Sequence, residues 1–256
     1  MPTPRRGTAA PPRIRDWFGK LITFWTLIAV VSAIAISVFA DLGEDVAAKS
    51  TTTFDNSVRT WVISHQNPVV YKVAYAITWI GSPTVMVLLA VAAGVWFYGR
   101  EGRSKAGVVI AAPAVGGLLS GVVKVLFGRL RPAGAALLNE RTYSFPSGHA
   151  TTSAAVVVTL CYVMAREGMI SWRTAGVIGG GVPLFVGLTR VYLDVHWTTD
   201  VIGGWAVGLF VAAMRAALYE YLRRSAPPGV GGVGGVGGVG GVGGVGGAGA
   251  GAAGGS

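Results

Sequence analysis

Runs of apolar residues separated by short polar connectors dominate the chain from about residue 21 to 219. They fall at about 21–40, 83–98, 106–126, 149–165, 174–193 and 200–219. Each approaches the roughly 20 residues an α-helix needs to cross about 30 Å of hydrocarbon. The pattern predicts six membrane-spanning helices. Residues 69–98 are less regular: they are apolar nearly throughout, but "GSP" at Gly81–Pro83 interrupts them. Ser82 followed by Pro83 is a helix start. Residues 83–98 therefore read as the span, and 69–80 as a short amphipathic or partly inserted segment. Just upstream, "FDNSVRTWVISHQ" reads as a helix lying on the membrane surface.

Composition agrees with this pattern. Of 256 residues, 52% are hydrophobic and 12% charged, with a mean hydropathy of +0.58; soluble domains carry roughly 25% charged residues. The expected fold class is all-α, a polytopic bundle of six transmembrane helices with a short interfacial helix after the first span. Pro- and Arg-rich residues 1–20 read as a disordered basic N-terminus, 21–222 as the membrane domain, and 223–256 as a disordered tail. The Val-Gly-Gly repeat of that tail cannot bury a core. The first apolar run exceeds the roughly 7–15 residues of a secretory signal's core and reads as an uncleaved span. Cys161, the single cysteine, lies within an apolar run, so no intrachain disulfide can form and it reads as a small buried hydrophobe.

Charge then sets orientation. A net charge of +10 would suit nucleic acid if it formed a patch on a soluble domain. Here the cations are divided into short clusters between apolar runs, so the expected partners are membrane lipids and not nucleic acid. Arg5, Arg6, Arg13, Arg15 and Lys20 precede the first run. Arg100, Arg103 and Lys105 separate the second and third, Arg166 and Arg173 the fourth and fifth, and Arg215, Arg223 and Arg224 end the sixth. The positive-inside preference places all of these, and both termini, in the cytoplasm. Lys124, Arg129, Arg131 and Arg141 run against it, because they fall at the outer end of the third span and in the connector after it. For Arg129 and Arg141, simple snorkelling to the interface stays open beside a functional role.

Alternation of six spans brings Lys124, His149, Arg190, His196 and Asp200 to the outer boundary at similar depth, from four different helices. Arginines and a lysine suit an oxyanion, and arginine can grip it bidentately. Pro146-Ser147-Gly148-His149 leads into the fourth span, whose first N–H groups and dipole favour an anion. Gly148 permits close backbone approach and Ser147 adds a hydroxyl. On a helical turn His196 and Asp200 share a face, so the carboxylate can hold one ring nitrogen and leave the other free to attack phosphorus. His149 is then available to protonate the leaving oxygen. His65, in a polar loop, reads as structural. The cations around His149, His196, Asp200 and Asp194 would repel a metal ion, so no metal and no other cofactor is expected. Asp194 is expected to point elsewhere.

These residues also carry a family signature. "KVLFGRLRP" (Lys124–Pro132) fits K-x6-R-P, "PSGH" (Pro146–His149) fits a second motif unchanged, and "TRVYLDVHWTTD" (Thr189–Asp200) fits S-R-x5-H-x3-D with Thr189 for serine. The chain resembles the type 2 phosphatidic acid phosphatase superfamily, which includes bacterial lipid phosphatases and vanadium haloperoxidases. The resemblance implies His196 as nucleophile, Asp200 as its orienting carboxylate and His149 as general acid. It likewise implies Lys124, Arg131, Ser147, Gly148 and Arg190 as phosphate ligands, with no metal. The expected substrates are lipid phosphates, namely polyprenyl diphosphate first, phosphatidic acid or phosphatidylglycerol phosphate. Two alternatives keep the same pocket: a phosphotransferase that passes the phosphoryl group to another acceptor, and a non-catalytic anion-binding scaffold or transporter. Oligomeric state is not legible from these residues.

Overall fold

The structure, a computed structural model, describes residues 14–138 and 141–225. Most of the basic N-terminal segment and the Val-Gly-Gly tail lie outside the described residues. Eight α-helices are described: α1 (Ile14–Ala47), α2 (Thr52–Ser64), α3 (Pro68–Ile80), α4 (Pro83–Glu101), α5 (Arg103–Phe127), α6 (Gly148–Arg166), α7 (Trp172–Tyr192) and α8 (Thr198–Ser225). A 3₁₀ turn at Ala133–Leu138 lies between α5 and α6. Six of the helices, α1 and α4–α8, are long and apolar enough to span a membrane, as the apolar runs predict.

Side-chain caps explain several helix starts. Asn67 accepts from the N–H groups of Val69 and Val70 at 2.8 and 3.3 Å ahead of Pro68, and Ser82 accepts from Val85 at 3.3 Å ahead of Pro83. The "GSP" break therefore separates two complete helices, and 69–80 lies within a 13-residue helix, α3. A Cβ on Gly81 would sit 2.3 Å from the Val186 side chain, one turn before Arg190 on α7. α3 thus descends beside α7, and α4 starts below the level of the connectors.

Three boundaries differ from the sequence reading, one of them at the tail: residues 223–225, assigned to it, form the end of α8. Residues 14–20, assigned by composition to a disordered segment, form the first turns of α1. The same helix continues past Ala40 through Asp41, Glu44 and Asp45 to Ala47. Hydropathy marks the part of a helix that lies in hydrocarbon, whereas the backbone ladder continues into the polar zone on either side.

α6 is the centre of the bundle and packs on α4, α5, α7 and α8. Its buried positions are mostly Ala, Thr, Ser and Val, which admit neighbouring backbones closely, as small residues do in membrane bundles. Gly204 and Gly208 on α8 complete this contact: a Cβ on Gly208 would lie 2.6 Å from both the Thr151 carbonyl oxygen and the Ala154 methyl group. At the end remote from the α7–α8 turn, Lys105 pairs with Glu167 at 2.7 Å and Arg166 with Glu220 at 2.6 Å, tying α5, α6 and α8 together.

Candidate active site

The site is built at the end of the bundle where α5 stops, α6 starts and α7 turns into α8. Gly128, with φ 56°, adopts the left-handed conformation and closes α5 by donating to the Lys124 carbonyl at 3.0 Å. After α5, Arg129 reaches Asp200 and Arg131 reaches His196, while Leu130 between them is 78% exposed. Both arginines meet the α7–α8 connector.

Four residues separate His196 from Asp200, and the local geometry explains why they meet. Asp200 lies in the first turn of α8 and its Oδ2 reaches back to the Trp197 N–H at 2.9 Å, capping the helix start. The same oxygen faces His196 Nδ1 at 3.3 Å and accepts from the Ser144 hydroxyl. Arg129 Nη1 holds the other oxygen, Oδ1, at 2.6 Å. Asp200 is fully buried and His196 nearly so.

His196 Nε2 faces Arg131 Nη1 at 2.9 Å; that nitrogen also donates to the Val195 carbonyl, and Arg131 binds Thr142 through Nε and Nη2. Burial, followed by the charges of Arg131, Arg190 and Lys124, holds the His196 imidazole well below its ordinary range, so it is neutral at pH 7. Arg190, also buried, donates to Thr78 of α3 at 3.0 Å. Lys124 Nζ donates to the Tyr143 carbonyl and, at 3.4 Å, to that of Ser144. His149, half-buried at the head of α6, lies within electrostatic reach of Arg190, His196, Arg131 and Lys124.

The Pro146–His149 segment is fixed from three directions. Phe145 is fully buried against the rings of Phe39 and Phe127, with centroids 5.6 and 4.9 Å away. The Ser147 N–H donates to the Asp200 carbonyl at 2.9 Å, and Ser144 N–H to that of Arg129 at 2.8 Å. Ser147 Oγ is buried with no hydrogen-bond partner among the described residues, and so is Ser120 Oγ, one turn before Lys124 on α5. A Cβ on Gly148 would lie 3.9 Å from Ser120 Oγ, so two unsatisfied hydroxyls flank the start of α6. A buried hydroxyl without a partner is costly, and a ligand oxygen relieves it.

The predicted residues Lys124, Arg131, Ser147, Gly148, His149, Arg190, His196 and Asp200 thus occur in one region. Asp194 does point elsewhere: it forms a bidentate pair with Arg59 at 2.6 and 2.8 Å. Arg129, for which snorkelling was open, instead turns inward to Asp200 and Asp55, each at 2.6 Å. Arg141 is exposed. α2 is more than a surface helix, because Asp55, 1% exposed, is buried against α8. Sequence reasoning missed Ser120, Ser144, Asp55 and Thr78. Ser120 could have been found, since it lies four residues before Lys124 on the same helix face.

Comparison with known proteins bears on the fold and family. The family described as PAP2 superfamily matches residues 105–224. The chain is 27% identical over 191 residues to phosphatidylglycerophosphatase B of Bacillus subtilis, covering 73% of this chain and 93% of that one. Over 70 residues it is 36% identical to an undecaprenyl-diphosphatase of Sulfolobus acidocaldarius, covering 27% of this chain and 31% of that one. The fold matches the crystal structure of a transmembrane PAP2-type phosphatidylglycerolphosphate phosphatase from Bacillus subtilis, with a TM-score of 0.71 and 25% identity, over 76% of this chain and 98% of that one. Residues 105–224, which contain the three motifs together with His149, Arg190, His196 and Asp200, match the PAP2 superfamily.

Proposed function

We propose that the protein is an integral membrane phosphatase that removes phosphate from lipid phosphates at the outer membrane–water boundary, through a phosphohistidine on His196 and without a metal. One observation carries the reading: His196 is clamped by Asp200 at Nδ1 and turned toward Arg131 at Nε2, inside a group of cations that His149 shares. A neutral imidazole with its proton on Nδ1 presents a lone pair at Nε2. The incoming phosphoryl group takes the place of the Arg131 contact and is gripped by Arg131, Arg190 and Lys124, with Ser147 and the first N–H groups of α6 completing the cradle.

Nε2 attacks phosphorus, the bond to the lipid oxygen breaks, and that oxygen takes the proton of His149. Water then attacks the phosphohistidine, gives its proton to His149, and releases inorganic phosphate and free His196. The fixed cations stabilise charge on the transferring group, and removing one such donor costs about 10²–10³ in kcat. Arg131→Met and Arg190→Met are therefore expected to lose activity on that scale.

The relative matched over nearly its full length is a phosphatidylglycerophosphatase, which moves phosphatidylglycerol phosphate to the head of the substrate panel, ahead of polyprenyl diphosphate. The test is phosphate release by purified protein from these lipids and phosphatidic acid, with EDTA present. His196→Ala and His149→Ala are expected to lose release, and wild type to keep it in EDTA. Full activity in His196→Ala would overturn the nucleophile, and loss in EDTA the metal-free chemistry.

A further inference from the structure

α2 makes two separate connections to the residues around His196. Arg59 pairs with Asp194, which also accepts the Gly134 N–H at 3.0 Å. One turn earlier, Asp55 enters a buried chain of charges. Its Oδ1 accepts the Thr199 N–H at 3.0 Å and its Oδ2 the Thr199 hydroxyl at 2.6 Å, so it caps the start of α8 from another helix. Oδ2 also takes Arg129 Nη2 at 2.6 Å, which contacts the Thr51 hydroxyl at 3.2 Å as well. The second arm of the guanidinium, Nη1, holds Asp200 Oδ1 at 2.6 Å and the Thr199 hydroxyl at 2.8 Å. The guanidinium therefore lies between two buried carboxylates, one of which orients the nucleophile.

We infer that Arg129 and Asp55 are positioning residues for His196, acting through Asp200; the inference rests on the phosphohistidine reading above. With Oδ1 held by Arg129, rotation of the Asp200 carboxylate is blocked and Oδ2 stays on Nδ1. That keeps the ring proton on Nδ1 and the lone pair on Nε2. Asp55 in turn fixes the plane of the guanidinium, whose fork suits two carboxylates as a lysine's ammonium does not. Attachment of α2 does not explain this arrangement, because the Arg59–Asp194 pair already supplies it.

The test is steady-state kinetics on short-chain phosphatidic acid in detergent micelles. Arg129→Met, Arg129→Lys and Asp55→Asn are compared with wild type, each alone and combined with Asp200→Asn. Arg129→Met and Asp55→Asn are expected to lower kcat about 10–100-fold, as loss of an orienting partner does. KM should stay within about twofold, since the phosphate ligands are untouched. Arg129→Lys recovers part of the loss. In the Asp200→Asn background the further loss shrinks to about threefold or less, because the group being oriented is gone. Wild-type kcat in folded Arg129→Met, or losses that multiply fully with Asp200→Asn, would overturn the inference. If Arg129→Met does not fold, wild-type kcat in Arg129→Lys together with Asp55→Asn overturns it equally. Full activity in His196→Ala removes the phosphohistidine reading and this inference with it. Inactive His196→Ala beside wild-type Arg129→Met removes this inference alone.

Discussion

His196 is a buried, neutral imidazole surrounded by cations, and that has a consequence for stability. An unfolded histidine takes a proton near pH 6.5, whereas the folded protein holds this ring well below that value. Above pH 6.5 neither state binds the proton and there is no penalty. As pH falls below 6.5 the unfolded chain gains a proton that the folded one refuses, so stability declines by up to about 1.4 kcal/mol per pH unit until the folded value is reached. Thermal unfolding in detergent between pH 7 and 5 should therefore fall more steeply for wild type than for His196→Gln; equal slopes would contradict the burial argument. Much of the site was legible at this scale, because helix alternation alone gives Lys124, His149, Arg190, His196 and Asp200 a common depth. Direction was harder to read. Depth says nothing about whether Arg129 turns out to the interface or in to Asp200, although its alternation with exposed Leu130 and inward Arg131 held that information. Asp55 was hidden because the Thr199 it caps lies 144 residues away.

Among elements, the α6–α8 contact sets the distance between the two histidines, since His149 starts one helix and His196 precedes the other. Gly208 lets the helices meet with no room for a Cβ, and both nearest atoms belong to the α6 backbone or a short alanine side chain that cannot move aside. Gly208→Ala is expected to lose about 1–3 kcal/mol and to lower kcat by separating His149 from His196. Gly117→Ala on α5, where a Cβ meets nothing within 4 Å, serves as the control. An unchanged melting temperature in Gly208→Ala would show that the helices can spread freely. The helix starts at Asn67-Pro68 and Ser82-Pro83 follow from local chemistry, and the Ser82-Pro83 start was read correctly. The inner face of α2 depends on tertiary partners, so its sequence resembled a plain amphipathic helix. Phe54 and Trp61 remain exposed on it, as an interfacial helix requires.

For the whole molecule, the six apolar helices make a multi-span membrane protein, and the distribution of Arg and Lys in the connectors argues for cytoplasmic termini with the His196 cluster on the opposite side. A reporter fused after Ser225 is expected to be active only in the cytoplasm; an extracytoplasmic signal would reverse the proposed sidedness. Charge pairs at the remote end hold α5, α6 and α8, while the site end is held by bonds between segments far apart in the chain: Arg59 reaches Asp194 across 135 residues and Asp55 reaches Thr199 across 144. The order of synthesis gives those separations a meaning. α2 leaves the ribosome long before the α7–α8 turn exists, so Arg59 lacks Asp194 until that turn is made and Asp55 lacks Thr199 until α8 begins. The proposed catalytic arrangement is therefore among the last things to form, and on that proposal a nascent chain that stalls before α8 holds the phosphate-binding residues yet lacks Asp200, the carboxylate that orients His196. On the proposed mechanism such a chain cannot hold the His196 ring for attack until the first turn of α8 is in place.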